Sequence, residues 1–261
     1  MPEGDTIRKL AVALVPGLEG QVLREGRVAV DPRLDLAGCR VEGIDAHGKH
    51  LFISFDSGEV LRSHLGMYGS WHRYVQGEEW RRPAHQASIV LATEVAVFVC
   101  FNAREVELLR KAGVSRRLLR SRLGLDLITA EIEGKDLVAR VRQMLAPDEP
   151  LADLLLDQRI ACGIGNVCKS EVLFLEGLAP ERALASVDAD RLIGLFVCAH
   201  HLLRSNLQGG ARVTRPRTDG RGRLWVYGRH GRPCLCCGVP VRCTRLGRHW
   251  RSTWWCPRCQ R

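Results

Sequence analysis

The sequence predicts an α+β chain of several domains: an N-terminal helix joined to an antiparallel β-sandwich, a helical domain, and a C-terminal zinc-ribbon β-hairpin. Three observations carry that expectation. Apolar residues recur with the helical period at the start, alternate with period two over residues 20–101, and return to the helical period over residues 115–205. Four cysteines near the C-terminus fall into two Cys-x-x-Cys pairs. The charge then concentrates at one end, as set out below. The expected divisions are 1–115 for the sandwich, 116–205 for the helical domain, 206–222 for a basic linker and 223–261 for the zinc finger.

Pro2 at an early helical position, with the acids Glu3 and Asp5 after it, suits a helix N-terminus, where backbone N–H groups favour negative charge. Ile7, Leu10, Ala11 and Leu14 share one face, and Pro16-Gly17 should stop the run. The apolar stretch 10–15 is too short for a secretory signal core, and acids precede it, so a cytoplasmic location and no membrane partner are expected. Strands are expected at Val28-Ala29-Val30, 51–55, 87–92 and 95–101, separated by turn residues such as Asp56-Ser57-Gly58. Helical spacing follows in Leu137, Val141 and Leu145, in Leu151, Leu154 and Leu155, and in Leu192, Leu195 and Phe196.

The net charge of +10 is distributed unevenly. Residues 204–261 hold fourteen arginines and one acid, Asp219, whereas residues 1–203 carry a net charge of −3. A codon bias toward arginine explains why the chain has 34 Arg and five Lys, but not why acids are nearly absent from the tail. A concentrated polycation points to a polyanionic partner, most often nucleic acid.

Cys234-x-x-Cys237, eighteen residues, then Cys256-x-x-Cys259 is the most specific local pattern. Two such knuckles at the ends of a β-hairpin place four thiolates around one Zn²⁺. A redox dithiol would need only one knuckle. Metal binding would also supply most of the folding free energy of a tail this poor in apolar residues. Cys236 is a rival to Cys237 as ligand, and Cys243 is a bystander. Cys39, Cys100, Cys162, Cys168 and Cys198 lie singly in apolar settings and are expected as buried small hydrophobes. Between the knuckles, Arg242, Arg245, Arg248 and Arg251 make a hairpin suited to DNA, and the nearby Trp250, Trp254 and Trp255 are expected to pack beneath the metal or to stack on bases.

Removal of Met1 would leave Pro2 as a free secondary amine. An α-amino group titrates near ~8 where lysine titrates near ~10.4, so far more of it is unprotonated and nucleophilic at neutral pH. Glu3 beside it could protonate a sugar oxygen as the ring opens. Taken alone, Pro-Glu is equally a good helix start.

Pro2-Glu3-Gly4-Asp5, Gly48-Lys49-His50-Leu51, Ser63-His64-Leu65-Gly66-Met67, Gly163-Ile164-Gly165-Asn166 and the two knuckles occur in one order. Together they resemble the formamidopyrimidine-DNA glycosylase / endonuclease VIII family over essentially the whole chain. The resemblance implies a β-sandwich domain with the N-terminal helix, a domain with a helix–two-turn–helix, and a zinc finger. It implies a bifunctional DNA glycosylase and abasic-site lyase, acting as a monomer on damaged single- or double-stranded DNA, with one structural zinc.

By that resemblance Pro2 matches the Schiff-base nucleophile, Glu3 the general acid, and Lys49 the proton donor for β-elimination. Asn166 matches a phosphate-binding residue, with Gly163 and Gly165 letting backbone N–H groups approach the phosphate. Arg251 matches the finger arginine that binds phosphates at the lesion and serves δ-elimination, and Arg122 a further DNA contact. Met67 and Tyr68 match the wedge that fills the gap left by a flipped nucleotide.

The branch signals are mixed. Pro2-Glu3-Gly4 follows the endonuclease VIII branch, which favours oxidised pyrimidines, and residues 101–108 lack the Asp-Pro-Arg-Arg-Phe-Gly of the guanine-excising branch. The stretch 209–222 also looks shorter than that branch's purine-capping loop. His64-Leu65-Gly66-Met67 resembles the guanine branch instead, Thr6 stands where endonuclease VIII commonly has Glu, and Cys168 where many members have an aromatic. Oxidised-purine excision is therefore the alternative within the class, and a non-catalytic zinc-ribbon DNA-binding protein is the alternative outside it.

Overall fold

Ile7, Ala11, Leu14 and Leu18 line the buried stripe of α1 (Gly4–Leu18). In the computed structural model, which describes residues 2–31, 34–109, 123–216 and 219–261, this helix starts later and ends later than its sequence suggests. The Glu3 carbonyl accepts the N–H groups of Thr6 and Ile7 at 3.0 and 3.1 Å, so Glu3 is the cap residue and Pro2 precedes the helix. Pro16 does not stop it. Pro16 lies in the last turn on the exposed side, and Val12, one turn earlier, is exposed too, so its freed carbonyl can reach water.

The chain divides into two compact units, Met1–Arg122 and Leu123–Arg261. In the first, eight strands among the described residues form two four-stranded antiparallel sheets. One has the order β1 (Glu25–Val28), β6 (Ala87–Ala92), β7 (Val97–Phe101), β5 (Ser70–Tyr74). The other has the order β2 (Val41–His47), β3 (His50–Phe55), β4 (Val60–His64), β8 (Glu105–Leu109). Val28, Ile89, Leu91 and Phe98 from one sheet, Leu51, Ile53 and Phe55 from the other, and the stripe of α1 make one apolar core.

Two expected strands have other bounds, one shifted toward the N-terminus and one shortened. Asp31 donates to the Val28 carbonyl at 3.2 Å, so Ala29 and Val30 belong to a turn. Thr93 holds a turn through its Oγ1, which accepts from the Ala96 N–H at 3.2 Å, and β7 begins only at Val97.

The second unit contains α2 (Gly134–Met144), α3 (Leu151–Leu154), α4 (Asn166–Leu175) and α5 (Ala189–Ser205). It also contains a short parallel pair, β9 (Leu125–Asp126) with β10 (Ala161–Cys162), and a hairpin of β11 (Arg242–Leu246) and β12 (Arg251–Trp255). Leu137, Val141, Leu154, Leu155, Leu173, Leu192, Leu195 and Phe196 share its core. Leu145 is buried there too, but as the cap that ends α2. Every residue of α4 from Asn166 to Phe174 is buried, polar ones included, which is why no amphipathic period marks it in the sequence.

Asn206 donates to the Leu202 carbonyl at 2.8 Å and the Thr214 hydroxyl to Glu171, which ties residues 206–216 to α5 and α4. Asn206 exchanges two hydrogen bonds with Val213, at 2.8 and 2.7 Å, and Arg215, 1% exposed, pairs with Asp219 at 2.6 Å. Among the cysteines expected to be buried, Cys100, Cys162 and Cys168 are, whereas Cys39 and Cys198 are only half-buried. Among the described residues, no helix is long and apolar enough to cross a membrane.

Candidate active site

Glu3 is fully buried, yet its side chain makes no capping hydrogen bond to α1. The helix start is therefore made by its backbone alone, and the carboxyl group is not engaged in the cap role that the sequence left open. Pro2 beside it is half-buried. Arg8, one turn on, pairs with Asp45 at 2.9 Å and so ties α1 to the strand that leads into the Lys49 turn.

β2 and β3 meet in a two-residue turn, Gly48-Lys49, closed by the pair His47 and His50. Gly48 has φ +55°, which a side chain would strain, so the glycine lets the hairpin reverse tightly and presents Lys49 at its tip. Below the turn a row crosses the sheet: His47 opposite His50, His50 opposite His64, His64 opposite Glu105.

The His50 and His64 rings lie 4.9 Å apart. Burial first, then His64 and Arg62, push the His50 pKa down to about 3. Burial also lowers that of His64, against the opposing pull of Glu105. An arginine only donates, so the 3.0 Å contact of Arg62 with His50 Nδ1 leaves the proton of a neutral ring on Nε2. The two imidazoles are thus uncharged at neutral pH, and the positive charge of this edge sits on Lys49 and Arg62. Sequence reasoning did not single out His50, His64 or Arg62 as a group. The two histidines do lie inside the quoted motifs, and it is the strand register that brings them together.

Met67 and Tyr68 follow β4 on an exposed loop, with relative exposures of 52% and 76%. They border an open hollow of about 660 Å³ together with Gly69, Ser70, Arg82 and Asn102. Gly66, at φ +63°, lies so close to Arg104 that an added Cβ would meet the arginine Cβ at 2.8 Å. Two large side chains standing in solvent beside a hollow can insert into a base stack.

In the second unit Asn166 is the first residue of α4 and is only 6% exposed. Its Nδ2 donates to the Ser252 carbonyl at 2.8 Å, next to Arg251. Gly163 does adopt a left-handed φ of +110°, but its N–H donates to Gln158 Oε1 at 3.2 Å, so this donor has an internal acceptor. Arg251 opens β12 after Trp250, whose φ is +48°, and is half-buried. Arg251 pairs with Leu246 and Ser252 with Arg245, which places Arg251 and Arg245 on opposite faces of the hairpin. Arg122 lies outside the described residues.

The sulfur atoms of Cys234, Cys237, Cys256 and Cys259 all lie within 4.8 Å of one another. Cys236 is exposed and outside this set. Without an ion the thiols pull in different directions: hydrogen bonding with the Val239 backbone lowers the pKa of Cys237, whereas burial raises those of Cys256 and Cys259. Four thiolates so placed can hold one metal ion with no position left open for chemistry. Phe174, Val226, Val241, Trp225 and Trp254 pack around them, whereas Trp250 stands 66% exposed at the hairpin tip.

Glu171, which the sequence did not mark, anchors this region. Fully buried in α4, it accepts the N–H groups of Trp225, Val226 and Tyr227 at 2.7, 2.9 and 2.8 Å, and the Thr214 hydroxyl. Its signal was a lone acid just ahead of the apolar run Val172-Leu173-Phe174.

Residues 1–109 match the family model of the formamidopyrimidine-DNA glycosylase N-terminal domain. The whole chain is 38% identical to the probable endonuclease 8 2 of Streptomyces coelicolor and covers 94% of it. It is also 37% identical over its whole length to the DNA-(apurinic or apyrimidinic site) lyase Nei2 of Mycolicibacterium smegmatis, of which it covers 99%. Its fold is similar to that of Lactococcus lactis formamidopyrimidine-DNA glycosylase, solved non-covalently bound to DNA containing an abasic site, with a TM-score of 0.83, 20% identity and 99% of each chain covered.

Proposed function

This chain belongs to the formamidopyrimidine-DNA glycosylase / endonuclease VIII family, and on that premise we propose that it is a bifunctional DNA glycosylase and abasic-site lyase of base excision repair. The Pro2 nitrogen attacks C1′ of the damaged nucleotide and loses its proton, while the base departs with the electrons of the glycosidic bond and takes up a proton. Glu3 protonates the ring oxygen as its bond to C1′ breaks, which leaves an iminium between Pro2 and the opened sugar. Loss of a C2′ proton then expels the 3′ phosphate, with Lys49 as proton donor. A second elimination, assisted by Arg251, expels the 5′ phosphate.

The observation that carries this reading is Glu3: a fully buried acid next to the N-terminal proline whose side chain does not cap the helix. A carboxyl group buried next to the Pro2 amine suits a general acid poised at the reacting sugar. Met67 and Tyr68 fill the gap left by the flipped nucleotide, and Asn166, Arg122 and Arg251 hold phosphates. The four cysteines hold one structural Zn²⁺.

Oxidised pyrimidines are the favoured substrates, after the Pro2-Glu3-Gly4 start. The His64-Leu65-Gly66-Met67 loop, whose Gly66 has no room for a side chain, favours a second reading as an oxidised-purine glycosylase. The protein acts as a monomer on damaged DNA in the bacterial cytosol.

The test is a panel of oligonucleotides, single- and double-stranded, each carrying one defined lesion or an abasic site. Excision of oxidised pyrimidines, followed by β- and δ-elimination products, is expected. Binding without cleavage of any substrate would leave a zinc-ribbon binder.

A further inference from the structure

We propose that Lys169 is a positioning residue for Arg251, acting through the Thr253 hydroxyl. The inference rests on the proposed role of Arg251. Lys169 lies in the middle of α4 with no exposed surface. An ammonium group withdrawn from water is costly unless it is hydrogen-bonded, and its Nζ lies 2.6 Å from Thr253 Oγ1.

The direction of that bond fixes the next one. Lysine carries three donors and no acceptor, so the threonine oxygen must accept. Its single proton is then available only for a different acceptor, and the Arg251 carbonyl lies 3.2 Å away. Lys169 thereby turns a freely rotating hydroxyl into a directed donor to the backbone of Arg251.

The surrounding contacts reinforce this geometry. Asn166 Nδ2 holds the Ser252 carbonyl at 2.8 Å, and Ser170 Oγ accepts the Trp254 N–H at 3.4 Å. Three turn-related residues of one helix thus grip the consecutive residues Ser252, Thr253 and Trp254 of β12, just beyond Arg251 and the left-handed Trp250. Thr253 lies on the same face of the strand as Arg251, two residues on, whereas Arg245 lies on the other face. Lys169 is too deeply buried to touch a phosphate. Its effect is on where Arg251 stands.

The experiment uses the full, zinc-loaded chain on an abasic-site duplex and resolves δ- from β-elimination product at saturating DNA. Arg251→Ala is the reference and should suppress δ-product. Lys169→Met and Thr253→Val should each lower the δ-to-β ratio about tenfold, the size of effect that a small misplacement of a catalytic group produces. They should weaken DNA binding no more than Arg251→Ala does, and combining them should bring no further loss of the ratio, because they remove one relay. Thr253→Ser, which keeps the hydroxyl, should retain the wild-type ratio.

The inference is overturned if Arg251→Ala suppresses δ-product while Lys169→Met and Thr253→Val do not. It is also overturned if their losses add, or if Thr253→Ser is as defective as Thr253→Val, since packing would then be the cause. An Arg251→Ala protein with an unchanged ratio would remove the underlying reading of Arg251 instead.

Discussion

The side-chain amide of Asn166 donates to the Ser252 carbonyl at 2.8 Å, while its Oδ1 is buried with no hydrogen-bond partner among the described residues. An amide nitrogen has two hydrogens, so one remains for the phosphate that the family pattern gives to this residue. Asn166→Asp keeps the shape and replaces both donors with acceptors facing a carbonyl and a phosphate. It should weaken duplex binding by at least about tenfold and flatten the salt dependence by about one phosphate's worth. Fluorescence anisotropy titrations across a salt series measure both. An unchanged slope would mean that Asn166 holds β12 and nothing else.

Glu3→Gln should abolish excision of an intact damaged base but largely spare cleavage at a preformed abasic site. The acid is needed most while the base leaves, whereas an abasic sugar already opens spontaneously. Single-turnover rates on matched lesion and abasic duplexes separate the two steps. Equal losses on both would show that Glu3 has no distinct part in base removal.

The protein should contain one Zn²⁺ per chain. Cys256→Ser should lose the metal, unfold the tail and weaken DNA binding, because so small an apolar cluster depends on the ion for its folding free energy. Cys236→Ser should keep the metal, since Cys236 lies exposed outside the sulfur cluster. Elemental analysis of each variant, purified without chelator, decides. Zinc lost from the Cys236 variant would move the ligand set.

His50 gives a pH dependence of definite sign. Its folded pKa of about 3 lies below the roughly 6.5 of an unfolded chain, so between those values the unfolded state binds the extra proton. Stability is then full above about 6.5 and is lost progressively as the pH falls toward 3. His64, shifted the same way, adds to the loss. His50→Gln can still accept from Arg62 but does not titrate, so its Tm should fall less than that of the wild type between about pH 7 and 4.5. Parallel Tm curves would show that His50 is not buried as a neutral ring.

Much of this architecture was legible in the sequence because periodicity reports one-sided burial. Ile7, Ala11 and Leu14 marked α1 in this way, whereas β3 was marked by its apolar run over residues 51–55 and is buried on both faces. Helix α4 escaped because a helix buried on all sides has no polar face to reveal its period. The cysteine spacing disclosed the sulfur cluster, since chelation constrains sequence locally. Lys169, Glu171 and the His50–His64 row were hidden for the opposite reason. Their partners lie in distant segments, at Thr253, at Trp225 to Tyr227 and across strand pairings, and only the fold brings them close. Pro16 misled because a proline was read as a stop where an exposed last turn accommodates it.

The central claim is that Pro2 itself forms the covalent bond to the sugar. Only an iminium is reduced by borohydride to a stable protein–DNA adduct, so the enzyme should be trapped on an abasic-site oligonucleotide, digested, and the modified peptide located by mass spectrometry. The adduct is predicted on the nitrogen of Pro2, and it should vanish with Pro2→Gly or a blocked N-terminus while DNA binding persists. An adduct on Lys49 or another lysine, or undiminished trapping by the blocked protein, would contradict the account.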